Sequence, residues 1–250
     1  MEASQSDSSF WGHLDVLRHV LLKIVAVVCV LTIVAFCFKE QVFDWVLAPK
    51  DSDFVSYRLL RGGDFHVDLV NIRLASQFMI HMRMSCYVGI LLASPYIIYQ
   101  LFAFVSPALY ASERRYVLRG TLWGYLLFLL GVLLNYFMLF PLAFRFLSTY
   151  QVDEAVINTI TLSSYVDTLM SLSLMMGLMF ELPLLCWVLA KVGVLEASFM
   201  QTYRRHAIVL ILSLAAVVTP TSDVFTLMVA AFPIYMLYEA SILIVRRVRR

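Results

Sequence analysis

The 250-residue chain is 62% hydrophobic and 14% charged, with a formal net charge of +2 and a mean hydropathy of +0.84. Soluble domains hold about 45–50% apolar and about 25% charged residues, so this excess excludes a water-soluble globule and points to the bilayer as solvent. The small net charge, with no basic run interleaved with aromatics, excludes nucleic acid as a partner.

The polar, serine-rich start (Ser4, Ser6, Ser8, Ser9) lacks a short apolar core followed by a small-residue cleavage site. No removed signal peptide is expected, and the first apolar run stays as an anchor. An amphipathic lead-in at residues 10–23 carries His13, Asp15 and Arg18. An acid at this point is ordinarily a partner for the helix dipole.

About 20 apolar residues are needed to span the hydrocarbon core. Residues 20–38 qualify, with Lys23 placed to snorkel; residues 84–105 follow, with Pro95 inside them. Residues 120–144 form a third candidate, and 162–190 a fourth, interrupted by Asp167 and Glu181. The fifth, 207–218, is short, about 18 Å as a helix against a core of about 30 Å. It either dips into the bilayer or crosses where the bilayer is thinned. Crossing is expected, because it closes the topology with residues 224–245 as the sixth span. Continuous rather than alternating runs exclude a β-barrel.

Orientation follows from the basic residues. With six spans and the N-terminus inside, the inner segments hold Arg18 and Lys23, then Arg114, Arg115 and Arg119, then Lys191, Arg204 and Arg205, then Arg246, Arg247, Arg249 and Arg250. Only Lys39, Lys50, Arg58, Arg61, Arg73, Arg83 and Arg145 lie outside. Both termini are therefore expected in the cytoplasm. The chain reads as one membrane domain, 1–250. It has a cytoplasmic N-terminal segment (1–19), an outer cap loop (39–82), a first cytoplasmic loop (106–116) and a basic tail (246–250). Within the cap, Val42, Phe43, Val46 and Leu47 pattern a short interfacial helix over 41–48, ended by Pro49.

Chemistry motifs are absent. There is no GxxxxGK[ST], no HExxH and no GxSxG, so neither an enzyme nor a metal or cofactor site is expected. Cys29, Cys37, Cys86 and Cys186 lie in apolar runs without CxxC spacing and read as small buried hydrophobes. Energy must come from a partner or from the transmembrane potential. Glu181 is the costly residue, a carboxyl well inside the fourth span, with Pro183 freeing the Met179 carbonyl. It is either a paired or protonated kink residue or a polar docking point for a partner. Glu113, beside Arg114 and Arg115, reads from its surroundings as a loop carboxylate paired with a neighbour.

Several motifs then recur in order along the chain. Pro107-Ala108-Leu109-Tyr110-Ala111-Ser112-Glu113-Arg114 resembles the PALYxxER hallmark of TatC, the membrane subunit of the twin-arginine translocase. His13-Leu14-Asp15-Val16-Leu17-Arg18 resembles the family's HLxELR; the motif's glutamate aligns with Val16, and the acid here stands one residue earlier. Ala48-Pro49 is similar to the family's periplasmic cap proline, Phe140-Pro141-Leu142-Ala143-Phe144 to its FPLAF, and Phe180-Glu181-Leu182-Pro183 to its FEVP segment. Thr219-Pro220 through Asp223 resembles the turn after the fifth span, one residue longer than the common TPPD, and Pro233 through Glu239 resembles PMYxLFE.

The resemblance implies an all-α integral membrane protein, a concave bundle of six transmembrane helices with short fifth and sixth helices and cytoplasmic termini, in the inner membrane. It implies a receptor and assembly core that binds twin-arginine signal peptides of folded proteins and recruits TatA- and TatB-type partners for transport driven by the proton motive force. No cofactor is implied; membrane lipid and homo- and hetero-oligomers are. Glu113, Asp15 and Phe104 are the implied signal-peptide residues. Glu181 is the implied intramembrane partner contact, and Pro49, Pro95 and Asp223 have structural or periplasmic roles. The alternative from the residues alone is a proton-coupled secondary transporter using Glu181 together with Asp167.

Overall fold

The protein, as a computed structural model, is described over residues 2–51, 53–59, 67–72, 74–105, 114–150, 153, 159–218 and 223–248. Helix α1 spans Glu2–Cys37 and α2 spans Lys39–Leu47, followed by a 3₁₀ turn at Ala48–Lys50 and the short α3, Val55–Leu59. Strand β1, Leu69–Val70, leads to α4, Ser76–Val105. The third span is α5, Arg114–Leu134, continued by a π-turn at Asn135–Leu139 into α6, Phe140–Thr149. Strand β2, Ile160–Thr161, opens the fourth span, α7 (Leu162–Phe180) and α8 (Leu182–Val192). Then come α9, Ala197–Thr202, α10, Arg204–Val218, and α11, Val224–Val248.

Among the described residues, five helical stretches are long and apolar enough to cross a membrane: Asp15–Cys37, Ser76–Phe104, Arg119–Thr149, Leu162–Val192 and Val224–Val248. The expected fifth span is α10, and its 15 residues give about 22 Å, so it is short as foreseen. The expected short sixth helix is not short. α11 runs for 25 residues, because the apolar run passes through Pro233 unbroken and ends only at Arg246 and Arg247 in its last turn. Two loop boundaries also move. The cap loop ends before residue 82 because α4 already starts at Ser76, and α5 starts at Arg114 inside the expected first cytoplasmic loop.

The cap forms where the sequence places it. Pro49 has no N–H, so α2 cannot continue, and the carbonyl of Trp45, four residues earlier, loses its helical donor. The Tyr136 hydroxyl takes that place, donating to Trp45 O at 2.6 Å. The same arrangement recurs at two further prolines. Pro95 inside α4 deprives the Leu91 carbonyl, and Ser94 Oγ donates to it at 2.7 Å. Pro141 deprives the Phe137 carbonyl, and Ser56 Oγ from the cap donates to it. The Tyr57 hydroxyl donates to the Pro49 and Pro141 carbonyls at 3.0 and 3.3 Å, and Tyr165 donates to Val46 O at 3.0 Å. Hydroxyls thus fasten the cap to the third and fourth spans. In addition, β1 and β2 pair in parallel, Leu69 with Ile160 and Val70 with Thr161, and tie the two loops at the cap end together.

The core lies where α4, the third span, α7 and α11 meet, filled by Met84, Phe140, Leu169, Leu172, Met176 and Ile234. The third and fourth spans approach closely at Gly131, where a Cβ would lie 2.5 Å from the Met176 carbonyl oxygen. Asn135, fully buried at the start of the π-turn, crosses the same seam and donates to Ser173 Oγ at 2.8 Å. Helix α1 packs chiefly on α4, with Thr32 against Gly89 and Phe36 stacked on His81 at 4.1 Å. The reading of the cysteines as buried is corrected: Cys29, Cys37 and Cys86 lie on the outer surface of the bundle and Cys186 is half-buried. Apolar runs in a bilayer protein face lipid as readily as core, so hydrophobicity alone does not assign an inward side.

Candidate functional site

Of the sequence-predicted recognition residues, Asp15 and Phe104 sit at the end of the bundle opposite the cap. Thr32 lies against Gly89 and Phe36 against His81, which makes α1 and α4 antiparallel. Continued toward the other end, that register brings Asp15 on α1 level with Phe104 on α4. Asp15 is exposed, and its backbone carbonyl accepts a bond from the His19 ring at 2.8 Å. Phe104 is half-buried. Glu113 and the rest of the PALYxxER loop lie outside the described residues. The next residue, Arg114, opens α5, whose first turns run beside the end of α4, where a Cβ on Gly120 would lie 3.0 Å from the Phe102 ring.

Glu181 stands where the fourth span breaks. Pro183 cannot donate to Met179, so α7 closes with the Glu181 N–H on the Leu178 carbonyl at 3.1 Å, and α8 begins with Leu185 donating back to Glu181 O at 2.9 Å. The side chain is half-buried, directed at α5, and its Oε1 is shielded with no hydrogen-bond partner among the described residues. Beside it, Ile98 of α4, Gly124 of α5 and Leu184 of α8 meet. A carboxyl group held in an apolar niche with an unused acceptor is suited to receiving a donor from outside the chain.

Two further carboxylates in the bundle, Asp167 and Glu239, are engaged. Asp167 on α7 accepts from Arg83 on α4 at 3.1 and 3.3 Å. Glu239 on α11 is paired with Arg204 at the start of α10 at 2.8 Å and accepts from the Tyr235 hydroxyl at 3.1 Å. Asp223 caps α11, its Oδ2 accepting from Thr226 N at 2.6 Å. Pro49 is buried in the cap and Pro95 half-buried within α4. No cluster of three metal-ligating side chains occurs among the described residues. Sequence reasoning missed the Gly124 niche, the π-turn and the hydroxyl fastening. Of these only Ser94, adjacent to Pro95, carries a signal readable beforehand.

Residues 12–233 match the family model described as "Sec-independent protein translocase protein (TatC)". Relatives bearing that name include those of Blattabacterium sp. subsp. Periplaneta americana, 32% identical over 98% of this chain and 97% of that one. Those of Carboxydothermus hydrogenoformans (30%; 96% and 94%) and Campylobacter jejuni (32%; 94% and 93%) are similar in extent. A crystal structure described as the "Twin Arginine Translocase Receptor- TatC" superposes with a TM-score of 0.82 at 31% identity, covering 95% of this chain and all of that one. A second crystal structure of that receptor, in the detergent DDM, gives 0.80 at 30% identity, over 92% and 98%. With motifs, helix order and tertiary arrangement in agreement over nearly the whole length, the chain belongs to the TatC family of Sec-independent protein translocase proteins.

Proposed function

We propose that this chain is the receptor and assembly core of a twin-arginine translocase. It binds signal peptides with consecutive arginines on folded cargo, recruits single-span TatA- and TatB-type subunits into hetero-oligomers, and works in the inner membrane on the proton motive force. Both termini face the cytoplasm, with α10 as the short fifth of six crossings. The observation that carries the reading is the match over 95% of the chain to a structure described as the twin-arginine translocase receptor. The orientation is supported by the arginines: Arg114 and Arg115 open α5, Arg204 and Arg205 open α10, and Arg246 and Arg247 close α11.

In this reading the carboxylates of Glu113 and Asp15 receive the two guanidinium groups, with Phe104 lining the same end. A guanidinium fork matches a carboxylate bidentately, whereas lysine offers a compact, strongly hydrated point charge. Glu181 accepts a polar group from a partner helix. A proton-coupled carrier built on Glu181 and Asp167 is disfavoured, because Arg83 already holds Asp167.

The test is binding of a signal peptide with paired arginines, and of its paired-lysine form, to the protein and to Glu113→Ala. Arginine-selective binding that collapses in the variant supports the function and the site together. Binding indifferent to the lysine exchange, or unchanged in Glu113→Ala, moves recognition elsewhere.

A further inference from the structure

The niche around Glu181 has a feature that neither the motifs nor the family name assigns. A Cβ built on Gly124 would lie 3.2 Å from Glu181 Oε2, 3.0 Å from Ile98 Cγ2 and 3.1 Å from Leu184 Cδ2. All three are closer than ordinary van der Waals contact, about 3.5–4.0 Å between carbons. Only a residue without a side chain leaves room for the carboxyl group to lie against α5.

We propose that Gly124 is a positioning residue for Glu181: its missing side chain is the seat in which the carboxyl group rests against α5, with Oε1 screened from the surroundings. The three neighbours are not equally free to give way. Ile98 is buried in the α4 face, and Leu184 is packed beside it on α8. Glu181 Oε1 has no hydrogen-bond partner among the described residues, and the carboxyl is the far end of a flexible side chain. A methyl group at position 124 therefore displaces the carboxyl first. The purpose of the seat rests on the docking reading of Glu181: it stores the acceptor in a fixed place until a partner's donor meets it. The geometry does not depend on that reading.

The test uses the full chain in lipid nanodiscs and dicyclohexylcarbodiimide, an apolar reagent that modifies membrane carboxyl groups, with labelling at position 181 followed by mass spectrometry. Gly124→Ala is expected to raise the labelling rate roughly tenfold, a factor within the reach of a small overpacking penalty. Ile98→Phe, which crowds the same seat from α4, should act in the same direction and serves if Gly124→Ala does not fold. Tyr165→Phe removes a bond at the cap end of the fourth span, far from the niche, and should leave the rate at position 181 unchanged. Leu184→Ala added to Gly124→Ala should restore room and bring the rate back toward that of the parent. Parent-like labelling in both Gly124→Ala and Ile98→Phe, or an equal rise in Tyr165→Phe, overturns the proposal. Normal cargo transport by Glu181→Ala would remove the docking reading and leave the labelling result standing.

Discussion

Tyr136, on the third span, donates its hydroxyl to the backbone carbonyl of Trp45, which Pro49 has left without a helical donor, at 2.6 Å. The pair joins the cap to the membrane bundle through a group that the helix itself cannot satisfy. The Tyr165 bond to Val46 O is the more deeply buried counterpart.

Removing a buried donor leaves the acceptor desolvated and unpaired. Tyr165→Phe should therefore lower stability by about 1–3 kcal/mol. The half-buried Tyr136→Phe should cost less, since water reaches the abandoned carbonyl more easily. Thermal unfolding in mild detergent, run on both variants, checks the order.

Burial raises the Tyr57 phenol above its ordinary value of 10.0, with the Arg145 charge opposing the shift in part. A folded pKa above the unfolded one means that the phenol's contribution is complete below about pH 10 and is lost as the pH climbs beyond it. The parent should thus lose stability between pH 9.5 and 11 by more than Tyr57→Phe does, a window set about the ordinary phenol value. Equal alkaline loss in the two proteins would contradict this.

At Gly131 the atom facing an added Cβ is a backbone oxygen, Met176 O, at 2.5 Å, which cannot rotate away. Gly131→Ala should force the third and fourth spans apart and cost about 1–3 kcal/mol. A drop in melting temperature, with helical content retained by circular dichroism, is the expected result.

The Arg83–Asp167 pair is more than a third exposed on both sides, at 53% and 36% of side-chain surface. Exposed pairs contribute about 0–1 kcal/mol. Asp167→Asn should therefore change stability little and leave cargo transport intact. Abolished transport in this variant would return Asp167 to consideration as a working group.

How much was legible in the sequence differs from element to element. Five of the six expected spans were, because unbroken apolar runs have no other stable home. The cap helix and its stop were visible in Val42, Phe43, Val46 and Leu47 followed by Pro49. Helix ends were not: Ser76–Arg83 and Arg114–Arg119 are polar enough to read as loop, yet continue their helices because backbone hydrogen bonding propagates at little cost once a span is formed. The two-residue strands carry no periodicity and left no trace. At the candidate site, Glu181 announced itself as a carboxyl in an apolar run. Gly124 did not, since only tertiary packing shows what a glycine lies against. The inward side of Cys29, Cys37 and Cys86 was misread for the same reason.

The seam between α1 and α4 bears on how the chain is made. Synthesis delivers α1 first, and the helix on which it chiefly packs arrives only after the whole cap loop has been translated. During that interval α1 lacks its main packing partner, with the small notch that fits it, Gly89 against Thr32, not yet synthesised. Biogenesis of this protein therefore requires an α1 that is stable as a solitary anchor, and its long, evenly apolar stretch from Val20 onward, with few buried positions, suits that duty.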